Sequence, residues 1–180
     1  MGKLYFTRHG QTVWNVEQKI CGATDIALTD LGHEQARKLG KAIRERELLI
    51  DEILYSPLIR AAETARHISE ETGIPRREEL RLKEQNFGKY EATDRRGKEF
   101  QEAKRCFINR FEGGESMLQM AQRIYNLLDE LAEQPDKTCL LVAHNGIARI
   151  VCSYFQDMSN EEFAAFGIDN CQILEFQFSP

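Results

Sequence analysis

Apolar residues along this chain fall into two kinds of run. Short runs bounded by turns or charges, at 3–7, 52–55, 138–143 and 171–178, predict β-strands. The third of these is continuously apolar, as suits a strand covered on both faces, whereas the last alternates. Elsewhere the apolar positions recur at helical spacing. Leu31, Leu39 and Ile43 predict one face of a helix over about 30–46, with Thr29 as its N-cap. Met117, Met120, Ala121, Ile124, Leu127, Leu128 and Leu131 give the clearest amphipathic helix, running to Gln134 ahead of the breaker Pro135. Ser56-Pro57 sets a capping hydroxyl before a proline, so a helix is predicted to start there and run to about 71, stopped by Gly73 and Pro75. A helix from about Ile147 and a capping box at Ser159 and Glu162 follow. The segment 80–90 is irregular, and 94–110 reads as a charged, exposed helical excursion closed by Gly113-Gly114.

Strands alternating with helices predict an α/β fold, a three-layer α/β/α sandwich with a mainly parallel central sheet. The less regular connection before the last strand leaves that strand free to run antiparallel. A chain of 180 residues with 42% hydrophobic content is sized for one core, so a single domain over 1–180 is expected, with 92–112 as a short helical cap.

A net charge of −5 gives no broad basic surface for nucleic acid or an anionic membrane, so a small anionic ligand would need locally gathered arginines. No apolar run approaches the roughly 20 residues needed to cross a bilayer. The start has no signal segment, and Phe6 stands where a myristoylation motif needs Ser or Thr, which makes the cytoplasm the expected location. The cysteines at 21, 106, 139, 152 and 171 are an odd set without close pairing. They read as free and mostly buried thiols, Cys139 and Cys152 serving as small hydrophobes.

Of four histidines, His9 and His144 close predicted strands, the edge at which open α/β sheets place ligands, while His33 and His67 lie in helices among charges. A histidine at a strand end is by itself as compatible with packing as with catalysis. His33-Glu34 begins like a zinc-protease helix, but Arg37 stands where the second histidine is required. The chain has neither a phosphate-binding P-loop nor a dinucleotide glycine fingerprint, and no metal or cofactor is expected.

The run Thr7-Arg8-His9-Gly10-Gln11-Thr12-Val13-Trp14-Asn15 resembles the opening motif of the histidine phosphatase superfamily, the group containing phosphoglycerate mutase. Four further segments match in the family's order: 22–32, Ser56-Pro57-Leu58-Ile59-Arg60-Ala61, Gly113-Gly114-Glu115-Ser116, and Val142-Ala143-His144-Asn145-Gly146. The resemblance implies that His9 attacks phosphorus and becomes a phosphohistidine, which requires a neutral imidazole with one nitrogen free and the other held. It assigns phosphate binding to Arg8 and Arg60, whose planar guanidinium groups can grip two oxygens at once. His144 becomes the second catalytic histidine, a donor and cation beside the transferring group. Gly10, by its lack of a side chain, keeps the approach uncrowded, and Thr12 and Asn15 line the pocket. Together these side chains would neutralise a metaphosphate-like transition state without magnesium.

The leaving alkoxide needs a proton, and general acid catalysis contributes about 10²- to 10⁴-fold. The segment 82–92 resembles the family stretch that supplies this donor, placing the role on Glu84 and leaving Glu91 structural. Two departures stand out. Ala92 occupies a position where the family usually has glycine, and Asn145 follows the second histidine where glycine is common, so Asn145 is expected to add a donor or alter pocket width.

These features imply hydrolysis of a small phosphorylated metabolite. The alternatives are mutase-type transfer back to a hydroxyl and a catalytically silent binding module. Only the 21 residues 92–112 separate Glu91 from Gly113, shorter than the excursion general in cofactor-dependent mutases, which favours a phosphatase. Lys98, Lys104, Arg105 and Arg110 in that stretch alternate with Glu99, Glu102 and Glu112 and read as a solvated helix. Nothing in the pattern indicates an oligomeric state.

Overall fold

In a computed structural model that describes residues 2–178, five strands form one sheet in the order β3-β2-β4-β1-β5. They are β1 (Lys3–Arg8), β2 (Glu52–Tyr55), β3 (Arg76–Glu78), β4 (Cys139–Ala143) and β5 (Ile173–Gln177). The strands β1, β4, β2 and β3 run parallel, and β5 joins the free side of β1 antiparallel. Met1, Ser179 and Pro180, which belong to the single domain expected over 1–180 and, for Met1, to the chain start read above, lie outside the described residues.

Side chains leave a strand alternately to its two faces, and the central strands use both. Leu4, Phe6, Leu54, Leu141 and Ala143 pack in one cluster with α5 (Met117–Ala132) and α6 (Asn145–Phe155). Tyr5, Ile53, Leu140 and Val142 pack in another with α2 (Asp30–Glu45) and α3 (Ile59–Thr72). Three layers follow directly, and truncating a fully buried Leu such as Leu141 to Ala would cost about 2–5 kcal/mol.

Local signals account for most helix boundaries. Thr29 Oγ1 accepts the Gly32 amide at 3.0 Å and starts α2, and the Ser159–Glu162 capping box starts α7 (Asn160–Ala165). Along α5 the buried positions are 117, 120, 124, 127, 128 and 131, as the spacing predicted, while Ala121 of the same predicted face is only half-buried. On α2 the core face is Gly32, Ala36, Leu39, Gly40 and Ile43, so Leu31 turns outward, contrary to its expected place on that face. The start of α3 also differs: it begins at Ile59, whose amide is taken by Asp25 Oδ1 at 2.7 Å, a cap supplied from 34 residues away. β3, all exposed charges, had no apolar signal to announce it. α6 begins at Asn145, two residues before the expected start.

The excursion 92–112 contains a single six-residue helix, α4 (Lys98–Ala103), rather than a long one. Phe100 and Phe111 turn inward to a small separate cluster with Ile20, against Phe87 and Tyr90. Ala92, at the hinge into this segment, takes φ of 66°, a left-handed conformation that favours the glycine it replaces. All five cysteines are free, but only Cys139 and Cys152 are buried, fewer than expected. Among the described residues no helix is long and apolar enough to cross a membrane.

Candidate active site

The parallel pairing of β1 with β4 matches Arg8 to Ala143, so the residues that follow, His9 and His144, leave the sheet side by side. The His9 amide donates to the Ala143 carbonyl at 3.0 Å, and the two imidazole centroids lie 5.1 Å apart. His9 Nδ1 is 2.7 Å from the Gly10 carbonyl. A carbonyl only accepts, so Nδ1 carries the proton and Nε2 is left with a free lone pair. Burial first, then the nearby Arg60 and Arg8 cations, hold the His9 pKa well below the ordinary histidine value. The ring is therefore a neutral base with a defined tautomer, held from behind by Asn170 Nδ2 on the His9 carbonyl at 2.8 Å.

Gly10 serves this arrangement differently from its expected role. A Cβ there would come within 2.4 Å of the Gly32 carbonyl, so the glycine lets the strand end pack on the first turn of α2. Its amide goes to Thr64 Oγ1 and its carbonyl to His9, which makes it a positioning residue rather than a phosphate-facing one.

Arg60, fully enclosed on the first turn of α3, donates from Nε to His144 Nδ1 at 3.2 Å and from its two terminal nitrogens to the carbonyls of Thr24 and Gly22 at 2.8 and 2.7 Å. Those carbonyls belong to a loop clasped by Glu91, whose carboxylate accepts the amides of Gly22, Ala23, Thr24 and Phe87 and the Thr24 hydroxyl. Glu91 is structural, as its segment implied. Because Arg60 occupies His144 Nδ1, the His144 proton sits on Nε2, which donates to Ser56 Oγ at 2.7 Å. A second proton on Nδ1 would face the guanidinium N–H. Burial and Arg60 accordingly push the His144 pKa well below its ordinary value, and the cationic His144 expected from the sequence is here a neutral donor.

Glu84 is buried, with Oε1 accepting the Gln85 amide and Oε2 the Gly146 amide, each at 2.9 Å. The second bond requires glycine at 146, since a Cβ there would lie 2.4 Å from Glu84 Oε1. Arg8 donates to the Ile168 carbonyl at 2.8 Å, and Asn145 Oδ1 accepts the Ile168 amide at 2.9 Å, so one peptide segment steadies both. Thr12 and Asn15 form the capping box of α1 (Val13–Val16). The Thr12 side chain is wholly buried in that cap and does not face the cavity, which corrects its expected place in the pocket lining.

A cavity of about 300 Å³ opens above these groups. Arg8, His9, Asn15, Glu84 and Asn145 line it from below, and Arg95, Arg96, Phe100 and Lys104 of the 92–112 segment line it from above. Arg60 and His144 lie beneath the wall, behind His9. Six cations, Arg8, Lys19, Arg95, Arg96, Lys104 and Arg149, face the cavity against the single acid Glu84, although the whole chain carries −5. Cys21 also reaches it, but burial raises that thiol to about 11, which leaves it protonated and unreactive.

Sequence reasoning missed Ser56, Asn170 and Arg149. Ser56 lay inside a matched motif but was taken as a helix cap, and Asn170 has no local pattern. Arg149 carried a legible signal, a lone charge inside the apolar stretch 147–152.

His33 and His67 meet elsewhere, between α2 and α3, with Nδ1 and Nε2 2.9 Å apart. With Glu63 they form a group whose potential ligand atoms lie within 4.8 Å of one another. Arg66 already binds both Glu63 oxygens, and its guanidinium stands 3.4 Å from His67 Nε2, so a cation fills the place a metal ion would take.

The sequence profile of the histidine phosphatase superfamily (branch 1) matches residues 4–180. The chain is 34% identical over 190 residues to "Probable phosphoglycerate mutase GpmB" of Erwinia tasmaniensis, an alignment that covers 100% of this chain and 87% of that relative. Among solved structures it is similar to a mycobacterial glucosyl-3-phosphoglycerate phosphatase in complex with VO3, at 29% identity and a TM-score of 0.82 over 96% of this chain and 91% of the other. It is similar as well to the alpha-ribazole phosphatase of Shigella flexneri, at 25% identity and a TM-score of 0.82 over 98% and 91% of the two chains.

Proposed function

The chain belongs to the histidine phosphatase superfamily, and from that premise we propose that it hydrolyses small phosphate monoesters through a phosphohistidine at His9, without a metal ion. The observation that carries this reading is the proton on His9 Nδ1, held by Gly10, which leaves Nε2 bare at the cavity wall. In the first step Nε2 forms a bond to phosphorus as the ester P–O bond breaks, and Glu84 passes a proton to the leaving oxygen. In the second, water attacks the phosphohistidine, Glu84 takes the water's proton, and inorganic phosphate leaves with the N–P electron pair returned to Nε2. Arg8 at the wall supplies charge directly. Arg60, enclosed beneath the wall, spends three of its five N–H groups on tethers and adds its positive charge from there, with the neutral His144 fixed between it and Ser56. In this reading the chain is one domain and 92–112 is its cap.

Similarity to a relative named for phosphoglycerate mutase supports a second reading, transfer of the phosphoryl group to another hydroxyl. The short cap and the two phosphatase structures favour hydrolysis. Incubation with 3-phosphoglycerate and 2,3-bisphosphoglycerate separates them: released phosphate is expected, and formation of 2-phosphoglycerate without it would establish the mutase. A chain that does neither, on any phosphate ester, would be a binding module.

The acid is tested by leaving group. Glu84→Gln should lose about 10²- to 10⁴-fold on an alkyl phosphate and much less on 4-nitrophenyl phosphate, whose phenolate leaves unaided. Equal losses on both would remove Glu84 from that role. Activity should survive chelators and be blocked by vanadate, and loss in chelator restored by magnesium or zinc would overturn the metal-free mechanism.

A further inference from the structure

Arg60 is a permanent cation in a fully enclosed place, and among the described residues no carboxylate touches it. Its charge is answered at one remove. The Gly22–Ala23 peptide is trans, so its carbonyl and its N–H point in opposite directions. The Gly22 carbonyl accepts from Arg60 at 2.7 Å, and the Ala23 amide donates to Glu91 Oε1 at 2.9 Å. One peptide group thus stands end-on between a guanidinium and a carboxylate, where each bond polarises the other. The amides of Gly22 and Thr24, at 3.1 and 3.4 Å, and the Thr24 hydroxyl, at 2.7 Å, converge on Glu91 Oε2. Successive amides aimed at one point make a concavity for an anion. The fit needs glycine at 22, since a Cβ there would fall 2.3 Å from Glu91 Oε1. Glu91 also takes the Phe87 amide at 3.1 Å, three residues past Glu84, so the same carboxylate pins the segment that carries the acid.

We infer that Glu91 is a positioning residue for phosphoryl transfer: through the peptides of 22–24 it fixes Arg60, and through Arg60 it keeps the His144 proton on Nε2. This inference rests on the phosphatase reading and gives Glu91, which lies outside the cavity lining, a task beyond clasping a loop. Of the two partners of the His144 ring, Ser56 can accept or donate and so accommodates either tautomer, whereas Arg60 only donates. Arg60 therefore decides which nitrogen holds the proton. Its Nε is aimed at His144 Nδ1 by the two carbonyl tethers on its terminal nitrogens, and both tethers come from the loop that Glu91 clasps. A displacement of about 1 Å at a catalytic group is enough to cost about 10²-fold in rate.

The test reads kcat and KM on 4-nitrophenyl phosphate together with the ¹⁵N signals of the His144 ring at pH 7.5, identified by their absence from His144→Gln. The wild-type ring should show a bare Nδ1 and a protonated Nε2. Glu91→Ala should lower kcat by about 10- to 100-fold with KM within about threefold, and its His144 signals should move toward the average of two tautomers. Glu91→Gln, which keeps one acceptor oxygen for the Ala23 amide, should recover at least about threefold of the lost kcat and part of the wild-type ring pattern. Thr24→Val removes only the hydroxyl from the clasp and should show the same changes at a smaller size, about threefold in kcat. That variant carries the test if Glu91→Ala fails to fold. A fall in kcat with the wild-type ring pattern retained, or a folded Glu91→Ala with kcat within about twofold of wild type, overturns the positioning role alone; the same results in Thr24→Val do so where Glu91→Ala does not fold. No turnover of 4-nitrophenyl phosphate by the wild-type protein overturns the phosphatase reading, and the inference falls with it.

Discussion

Two pairs of histidines pack in this protein with the same separation of ring centroids, 5.1 Å, and they do different things with it. His33 and His67 bond to each other, Nδ1 to Nε2, at the flank of α2 and α3, so each spends its reactive nitrogen on the other. His9 and His144 never bond to each other. Each is tied by outside partners, Gly10 for the first, Arg60 and Ser56 for the second, and the nitrogen left over is His9 Nε2. Proximity of imidazoles is thus not what makes a site. What matters is where the second nitrogen of each ring is anchored.

The sharpest break of this contrast is His9→Ala, which should lower turnover of 4-nitrophenyl phosphate by at least about 10⁴-fold, as loss of a covalent nucleophile does elsewhere. Substantial residual turnover would mean that the free lone pair is not the nucleophile. Arg60→Ala cuts the tether behind His144 and removes a donor, and kcat should fall by about 10²- to 10³-fold. A near-normal kcat would confine Arg60 to packing.

A third test uses acid. The folded pKa values of His9 and His144 are depressed, so below the ordinary value near 6.5 the unfolded chain binds protons that the folded protein refuses. Stability is therefore unaffected by these groups above about pH 6.5 and falls as pH drops below it, by about 1.4 kcal/mol per pH unit for each ring. Urea midpoints at pH 7.5 and 5.5 should show this slope, and His9→Gln should flatten it by about a third to a half. The His67 pKa is also lowered, first by burial, so that ring adds to the slope from the other pair. An acid slope undiminished in His9→Gln would contradict the neutral, buried assignment. The smallest effect is expected from His33→Ala, within about twofold of wild-type turnover and about 1 kcal/mol or less in stability, as for a half-exposed hydrogen bond. A large loss of turnover there would erase the distinction between the pairs.

The layers of this fold were legible because the apolar runs of β1, β2 and β4 supply both faces of the sheet and the 3.6 spacing on α5 fills one of the two clusters beside it. His9, the proposed nucleophile, and the arginines beside it were legible through motifs at the ends of those strands. The rest depended on contacts with no local trace. Asp25 caps α3 across 34 residues, and the His144 proton is fixed by Arg60 and Ser56, both remote in sequence. The inward turn of Phe100 left no trace because six-residue α4 has only Phe100 and Ala103 to pack, too few for a periodic signal. Arg149 shows the limit from the other side, since a lone charge in an apolar helix announces burial without saying what it faces.

The cluster of Ile20, Phe100 and Phe111 shares no buried residue with either core beside the sheet. Its packing therefore constrains the rest of the protein little, and mutations around Phe100 and Phe111 are answered mainly by their own few aromatic neighbours, whereas Phe107 rests on the large core. Over evolutionary time such a segment can lengthen, shorten or exchange its charges while the strand ends beneath it stay under strict selection. A lineage could in this way acquire new substrates by rewriting one small patch of chain, without passing through intermediates that fail to fold.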